Sequence, residues 1–102
     1  MIGEAASPEM IENVRKLAQA TPGVIAMNEL RTLHQGPEDV LLAVSVDFDD
    51  AMTAGEVEES IYRLEVAVKR QYPIVTRIFI EVQAARHHKE MIEQEQKARA
   101  GD

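Results

Sequence analysis

The sequence predicts an α+β fold in which two helices cover one face of a three-stranded sheet. Residues 40–48 and 74–82 alternate apolar and polar side chains with the period of two that is typical of strands. Two other segments, after Ser7 and after Thr53, carry apolar residues at helical spacing behind a capping residue. At 102 residues, the chain has the length of one small domain with a single core.

The composition narrows the classes of function. The formal net charge is −7 without any basic cluster, so we expect no binding to nucleic acid. No segment reaches the ~18 apolar residues that span a bilayer, and residues 1–6 lack the features of a signal peptide. We therefore expect the chain as given to be soluble and intracellular. The absence of cysteine restricts a metal site to imidazole and carboxylate ligands.

The first helix has clear start and stop signals. Ser-Pro-Glu at residues 7–9 begins it, because Ser caps a free amide and Pro suits the first helical position. Thr-Pro-Gly at residues 21–23 ends it, since Pro cannot continue the hydrogen-bond ladder. Its apolar stripe consists of Ile11, Val14, Leu17 and Ala18.

The first two strands form a predicted hairpin. The first strand runs from Val24 to Leu33, and strict alternation puts Met27 on the same face as Glu29 and Arg31. The turn chemistry of residues 36–39, Gly-Pro-Glu-Asp, then reverses the chain. In the second strand the even positions face the core; they are Val40, Leu42, Val44, Val46 and Phe48.

The second helix and the third strand complete the fold. Thr53 and Glu56 form a capping box, Pro73 ends the helix, and the apolar stripe is Val57, Ile61, Leu64, Val68 and Tyr72. The third strand places Ile74, Ile78, Ile80 and Val82 on one side, and Arg77 and Glu81 on the other. We expect a ferredoxin-like αββαβ sandwich over residues 7–83, followed by a polar, partly helical tail over residues 84–102.

Catalytic motifs are missing, so we do not expect an enzyme. The candidate metal ligands are few. His34 lies at the end of the hairpin, and His88 follows the third strand next to His87; a solvated position is the favoured interpretation of each histidine. Asp47 belongs with Asp49 and Asp50 to an acidic cluster at the end of the second strand. Such a cluster usually ends the strand and faces water. Glu81 lies on the strand face opposite the apolar row. An exposed strand carboxylate is its favoured interpretation, and contact with a dimer groove or an ion is the alternative.

Several short motifs, in this order and spacing, resemble one known family. They are TPGV at residues 21–24, LRT at 30–32 with GP at 36–37, the alternating second strand, QYP at 71–73 and IFIEV at 78–82. Together they resemble the cytoplasmic C-terminal domain of cation diffusion facilitator transporters. The likeness runs from Ile11 to about Val82, and residues 2–6 resemble the segment that leaves the last transmembrane helix of that family.

The resemblance implies a metallochaperone-like fold, a homodimer and a regulatory role at the cytoplasmic face of a membrane. Residues 1–6 would then be a linker from a transmembrane region, which would be the only link to the membrane. Apolar residues left on the second face of the sheet, namely Leu41, Val75 and Phe79, suit a partner subunit.

The resemblance also bears on metal binding. Zinc-transporting members of the family carry histidines at places that correspond here to Asn28, Val44, Val57 and Ile80. Of the acidic residues, Glu81 falls next to the third-strand position where the family often has a ligand. We therefore expect no firmly bound cofactor, and at most a weakly bound divalent cation such as zinc, iron or manganese.

A second class of function stays open. The chain also suits a free-standing ferredoxin-like interaction module that binds a small ligand or a protein partner. The coding region upstream separates the two hypotheses, because six apolar spans ending before Ile2 would indicate the transporter.

Overall fold

The computed structural model describes residues 6–101, and its elements follow the predicted αββαβ order with a further helix at the end. The elements are α1 (Pro8–Gln19), β1 (Val24–Gly36), β2 (Asp39–Phe48), α2 (Ala54–Gln71), β3 (Val75–Val82) and α3 (Ala85–Ala100). Residues 1–5 of the predicted linker lie outside the described residues, and the limits of the domain at 7–83 stay a prediction. Among the described helices, none is long and apolar enough to cross a membrane.

The predicted helix ends are confirmed. The Ser7 hydroxyl accepts a hydrogen bond from the Met10 amide at the start of α1. At the start of α2, Thr53 and Glu56 form the reciprocal bonds of a capping box. Gly23 has a φ of 80°, a conformation that glycine adopts without a steric penalty, so the chain can turn from α1 into β1.

The sheet has the order β1-β2-β3, in which β2 pairs antiparallel with β1 and parallel with β3. A parallel pair needs a crossover, and α2 supplies it. Both α1 and α2 pack on one face of the sheet, where the core is built on the even positions of β2, as predicted. None of these five side chains is more than 4% exposed.

One prediction about β1 is wrong. Met27 is buried at 4% exposure and pairs with Val46, so it belongs to the core face and not to the face of Glu29. The register between β1 and β2 shifts between Met27 and Glu29, which makes Asn28 an extra residue on the edge strand. Such a bulge reverses the alternation of side chains, and a simple period of two does not show it.

A second prediction, about β3, is also wrong. Val75 was expected on the second face, but it is 2% exposed and pairs with Val40 of the core face. Ile74 was expected within the strand on the apolar side of Ile78, but it precedes the strand and is 38% exposed. The register shifts between Val40 and Leu41, where their partners are Val75 and Arg77, so β3 also bulges at its start.

The tail forms a continuous helix. Every described residue of α3 is at least partly exposed, and His88 and Ile92, four residues apart, are its less exposed positions. The helix contacts β1, and its residues 93–100 are all exposed. A helix without a buried face depends on contacts at its start, which lie beside the candidate site described next.

Candidate functional site

The sheet face opposite α1 and α2 carries the candidate site, and we call it the open face. Its side chains follow from the strand register, because directly paired residues point to the same side. Three rows cross the strands in the order β1, β2, β3. They are Leu33, Leu41 and Arg77; then Arg31, Ala43 and Phe79; then Glu29, Ser45 and Glu81.

A groove of about 280 Å³ lies over the second and third rows. Phe79 forms one side of it and is 54% exposed, which is unusual for a phenylalanine in a strand. The neighbour of Phe79 on β2 is Ala43, whose methyl group is too small to cover the ring. The groove therefore combines an apolar wall with charged side chains at its ends.

The charges of the groove are unequally paired. Arg31 Nε lies 2.9 Å from Glu29 Oε1 and forms an ion pair with it. Glu81 lines the same groove, and its carboxylate has neither an ion pair nor a hydrogen bond within the described residues. An unpaired carboxylate beside a neutralised one leaves the groove with a local negative charge, which attracts a cation.

A chain of hydrogen bonds leads from the groove to the end of β3. Asn28 Nδ2 donates to the Gln83 backbone carbonyl at 2.8 Å and to Ser45 Oγ at 3.1 Å. Ser45 is 7% exposed, and its hydroxyl donates to Gln83 Oε1 at 3.0 Å. The bulge at Asn28 makes this possible, because the extra residue of β1 reaches across β2 to residue 83.

The same region holds the start of α3. His88 Nδ1 lies 3.1 Å from Gln83 Oε1. Asp47 Oδ2 accepts a hydrogen bond of 3.2 Å from the Ala85 amide, one of the free amides at the first turn of the helix. Asp47 therefore replaces the side-chain cap that Ala84 cannot provide.

The four predicted metal ligands separate into two groups. Glu81, Asp47 and His88 lie at one end of the open face, since Glu81 pairs with Ser45 and His88 joins Ser45 through Gln83. His34 pairs with Val40 at the opposite, hairpin end. Among residues 6–101, no three histidine or acidic side chains converge closely enough to hold one metal ion.

Sequence reasoning missed the polar residues that organise this end of the sheet. Ser45 and Gln83 were not singled out, and Asn28 was named only as a family position. A signal was present, because Asn28 directly follows the apolar run at residues 24–27 and Ser45 lies between two valines of the central strand. Their contacts were not predictable, since they depend on the bulge in β1.

The fold and the site define a class: a small α+β domain with two helices on one sheet face and an uncovered, acidic groove on the other. The family model of the cytoplasmic domain of cation efflux proteins matches residues 6–85. The chain belongs to this family of cytoplasmic dimerisation domains of cation diffusion facilitator transporters. No curated protein sequence matches the chain.

Solved structures of the MamM C-terminal domain share the fold. A variant in a cadmium form has a TM-score of 0.67 and 18% identity, over 76% of this chain and 95% of that one. A variant in a nickel form gives the same score and identity, over 76% and 98% of the two chains. A variant in a copper form has a TM-score of 0.66 at 18% identity, over 74% and 94%.

Proposed function

We propose that this domain joins two copies of its transporter through the open face, and that the same face responds weakly to divalent cations. The membrane-spanning part would belong to the rest of the transporter, and the domain would lie at the cytoplasmic side. The domain would act by holding two transporter chains together, and it would catalyse no reaction. Zinc, iron and manganese are the candidate cations.

The exposed ring of Phe79 carries the proposal of a dimer. The ring stands in the middle row of a sheet face that neither α1 nor α2 covers, and it is 54% exposed. Apolar surface of this kind is stabilised when a partner removes it from water. Membership of a family of dimerisation domains supports a second copy of the chain as that partner.

A two-fold axis near the groove would also bring ligands together. One chain offers Glu81 beside the groove, with Asp47 and His88 at the same end of the open face. Tight sites need three or four converging ligands, and one chain does not supply them in the described residues. A weak response that depends on the dimer fits this arrangement, and His34 at the far end would not contribute to it.

Sedimentation velocity over a concentration series tests the proposal. We expect a dimer at tens of micromolar or below, and added zinc should shift the association by no more than a small factor. A chain that stays strictly monomeric at about 1 mM would contradict the dimer. A dimer that zinc leaves unchanged up to about 1 mM would contradict the metal response alone.

A further inference from the structure

The hydrogen bonds around Gln83 have fixed directions. A backbone carbonyl only accepts, so the group 2.8 Å from the Gln83 carbonyl must be the Asn28 amide nitrogen. That nitrogen has a second hydrogen, which it donates to Ser45 Oγ at 3.1 Å. The Ser45 hydroxyl therefore acts as an acceptor towards Asn28 and keeps its own hydrogen for another group.

Gln83 Oε1 receives that hydrogen. It lies 3.0 Å from Ser45 Oγ, and the opposite orientation of the Gln83 amide would leave a nearly buried hydroxyl without an acceptor. The other neighbour of Gln83 Oε1 is His88 Nδ1, at 3.1 Å. Since Oε1 is an acceptor, His88 Nδ1 must carry a hydrogen.

A neutral imidazole with a hydrogen on Nδ1 has its free electron pair on Nε2. His88 is only partly buried, and within the described residues its Nε2 makes no hydrogen bond. Histidines that bind metals have the same arrangement: one ring nitrogen donates to an oxygen, and this orients the other and increases its basicity. His87 is the contrasting case, because its ring has no hydrogen bond in the described chain and is exposed.

We propose that His88 is a metal-ligating residue whose Nε2 is prepared by the chain Asn28, Ser45 and Gln83. The cations it suits are borderline divalent ions that prefer imidazole, such as zinc, nickel and copper. Within a single chain His88 is the ligand that the hydrogen bonds prepare, and water fills the remaining positions. In the proposed dimer, Glu81 and Asp47 lie at the same end of the open face as this histidine. The ligand lies beyond residue 85, so the matched family model does not include it. The inference names a ligand for the proposed metal response, and its biological role rests on that proposed function.

The tautomer is tested first, without metal. Nitrogen-15 spectra of the whole 102-residue chain at about pH 8, where an ordinary imidazole is neutral, distinguish protonated from bare ring nitrogens. We expect His88 to carry its hydrogen on Nδ1. The Gln83→Ala variant should lose this preference, and Gln83→Glu, which keeps an acceptor oxygen, should retain it. A bare Nδ1 in the wild-type chain would overturn the proposal.

Nickel chloride is the probe of ligation. The His88 ring signals should broaden at a nickel concentration about tenfold or more below that needed for His87, because outer partners of a ligating histidine contribute 10- to 100-fold in affinity. Gln83→Ala should remove this difference, while His87→Ala should leave the His88 response unchanged. Equal broadening of the two histidines in the wild type would overturn the proposal.

These outcomes are independent of dimerisation. The tautomer and the nickel response are properties of one chain, and sedimentation reports the association separately. A monomeric protein with a selective His88 would therefore contradict the proposed function and support this inference. A dimer in which nickel broadens His87 and His88 equally would support the proposed dimer and contradict this inference.

Discussion

Phe79 of β3 lies directly opposite Ala43 of β2 in the parallel register, so the largest side chain of the open face stands beside one of the smallest. The pairing leaves the ring 54% exposed and creates one wall of the groove. The exposed part of the ring contributes no burial energy to a monomer, because it stays in water. A second copy of the chain that covers the ring would add this burial energy.

The two faces of β2 should differ in their contribution to stability. Leu42 is fully buried between the sheet and the helices, and Leu41 on the open face is partly exposed. Leu42→Ala should reduce the free energy of unfolding by ~2 to 5 kcal/mol, which is a large part of the roughly 5 to 10 expected for a domain of this size. Leu41→Ala should cost clearly less. Denaturant unfolding measures both variants, and equal losses would mean that the assignment of faces is wrong.

The start of α3 should depend on Asp47. Its carboxylate accepts from the Ala85 amide, and loss of such a cap costs about 1 kcal/mol. In Asp47→Ala, hydrogen exchange at Ala85 should accelerate about five- to tenfold. Asp50→Ala is the matched control, because Asp50 is exposed and near in sequence. Unchanged exchange at Ala85 in the Asp47 variant would show that the carboxylate does not hold the helix.

Divalent metal should shift the melting temperature only slightly. With a Kd above ~10 µM, zinc or manganese at ~10 µM stabilises by at most ~0.4 kcal/mol. Each kcal/mol corresponds to roughly 4 to 8 °C in a domain of this length, so at pH 7.5 we expect a rise of no more than about 3 °C.

A tight site would be obvious in the same experiment. A reversible rise of ten degrees or more, lost in Glu81→Ala or His88→Ala but kept in His87→Ala, would contradict weak binding. It would also place the ion at the end of the open face that holds Glu81, Asp47 and His88.

Much of the fold was predictable because local signals agreed with each other. Capping residues marked the starts of α1 and α2, and Pro73 marked the end of α2. The alternation in β2 identified its buried face, since a central strand without a bulge keeps its period. The errors at Met27 and Val75 both arose at register shifts, where one extra residue reverses the faces.

The candidate site was predictable only in part. Glu81 was placed correctly on the face away from the core, because its neighbours in β3 alternate regularly around it. The role of Asp47 as a cap of α3 was not foreseen, since it joins residues far apart in sequence. The direction of the hydrogen bonds at Gln83 likewise depends on tertiary contacts that no local pattern encodes.

The most direct test of the dimer compares two exposed aromatic residues. Phe79 on the open face is 54% exposed, and Tyr62 on the outer side of α2 is 64% exposed. Replacing each by Ser and measuring dimer dissociation by sedimentation separates the sheet face from the helical face. Completing the burial of a half-exposed ring contributes ~1 kcal/mol in each chain, so Phe79→Ser should weaken the dimer tenfold or more, with an unchanged circular dichroism spectrum. Tyr62→Ser should leave the dissociation constant as it is. A Phe79→Ser protein that dimerises like the wild type, or a Tyr62→Ser protein that does not, would contradict association through the open face.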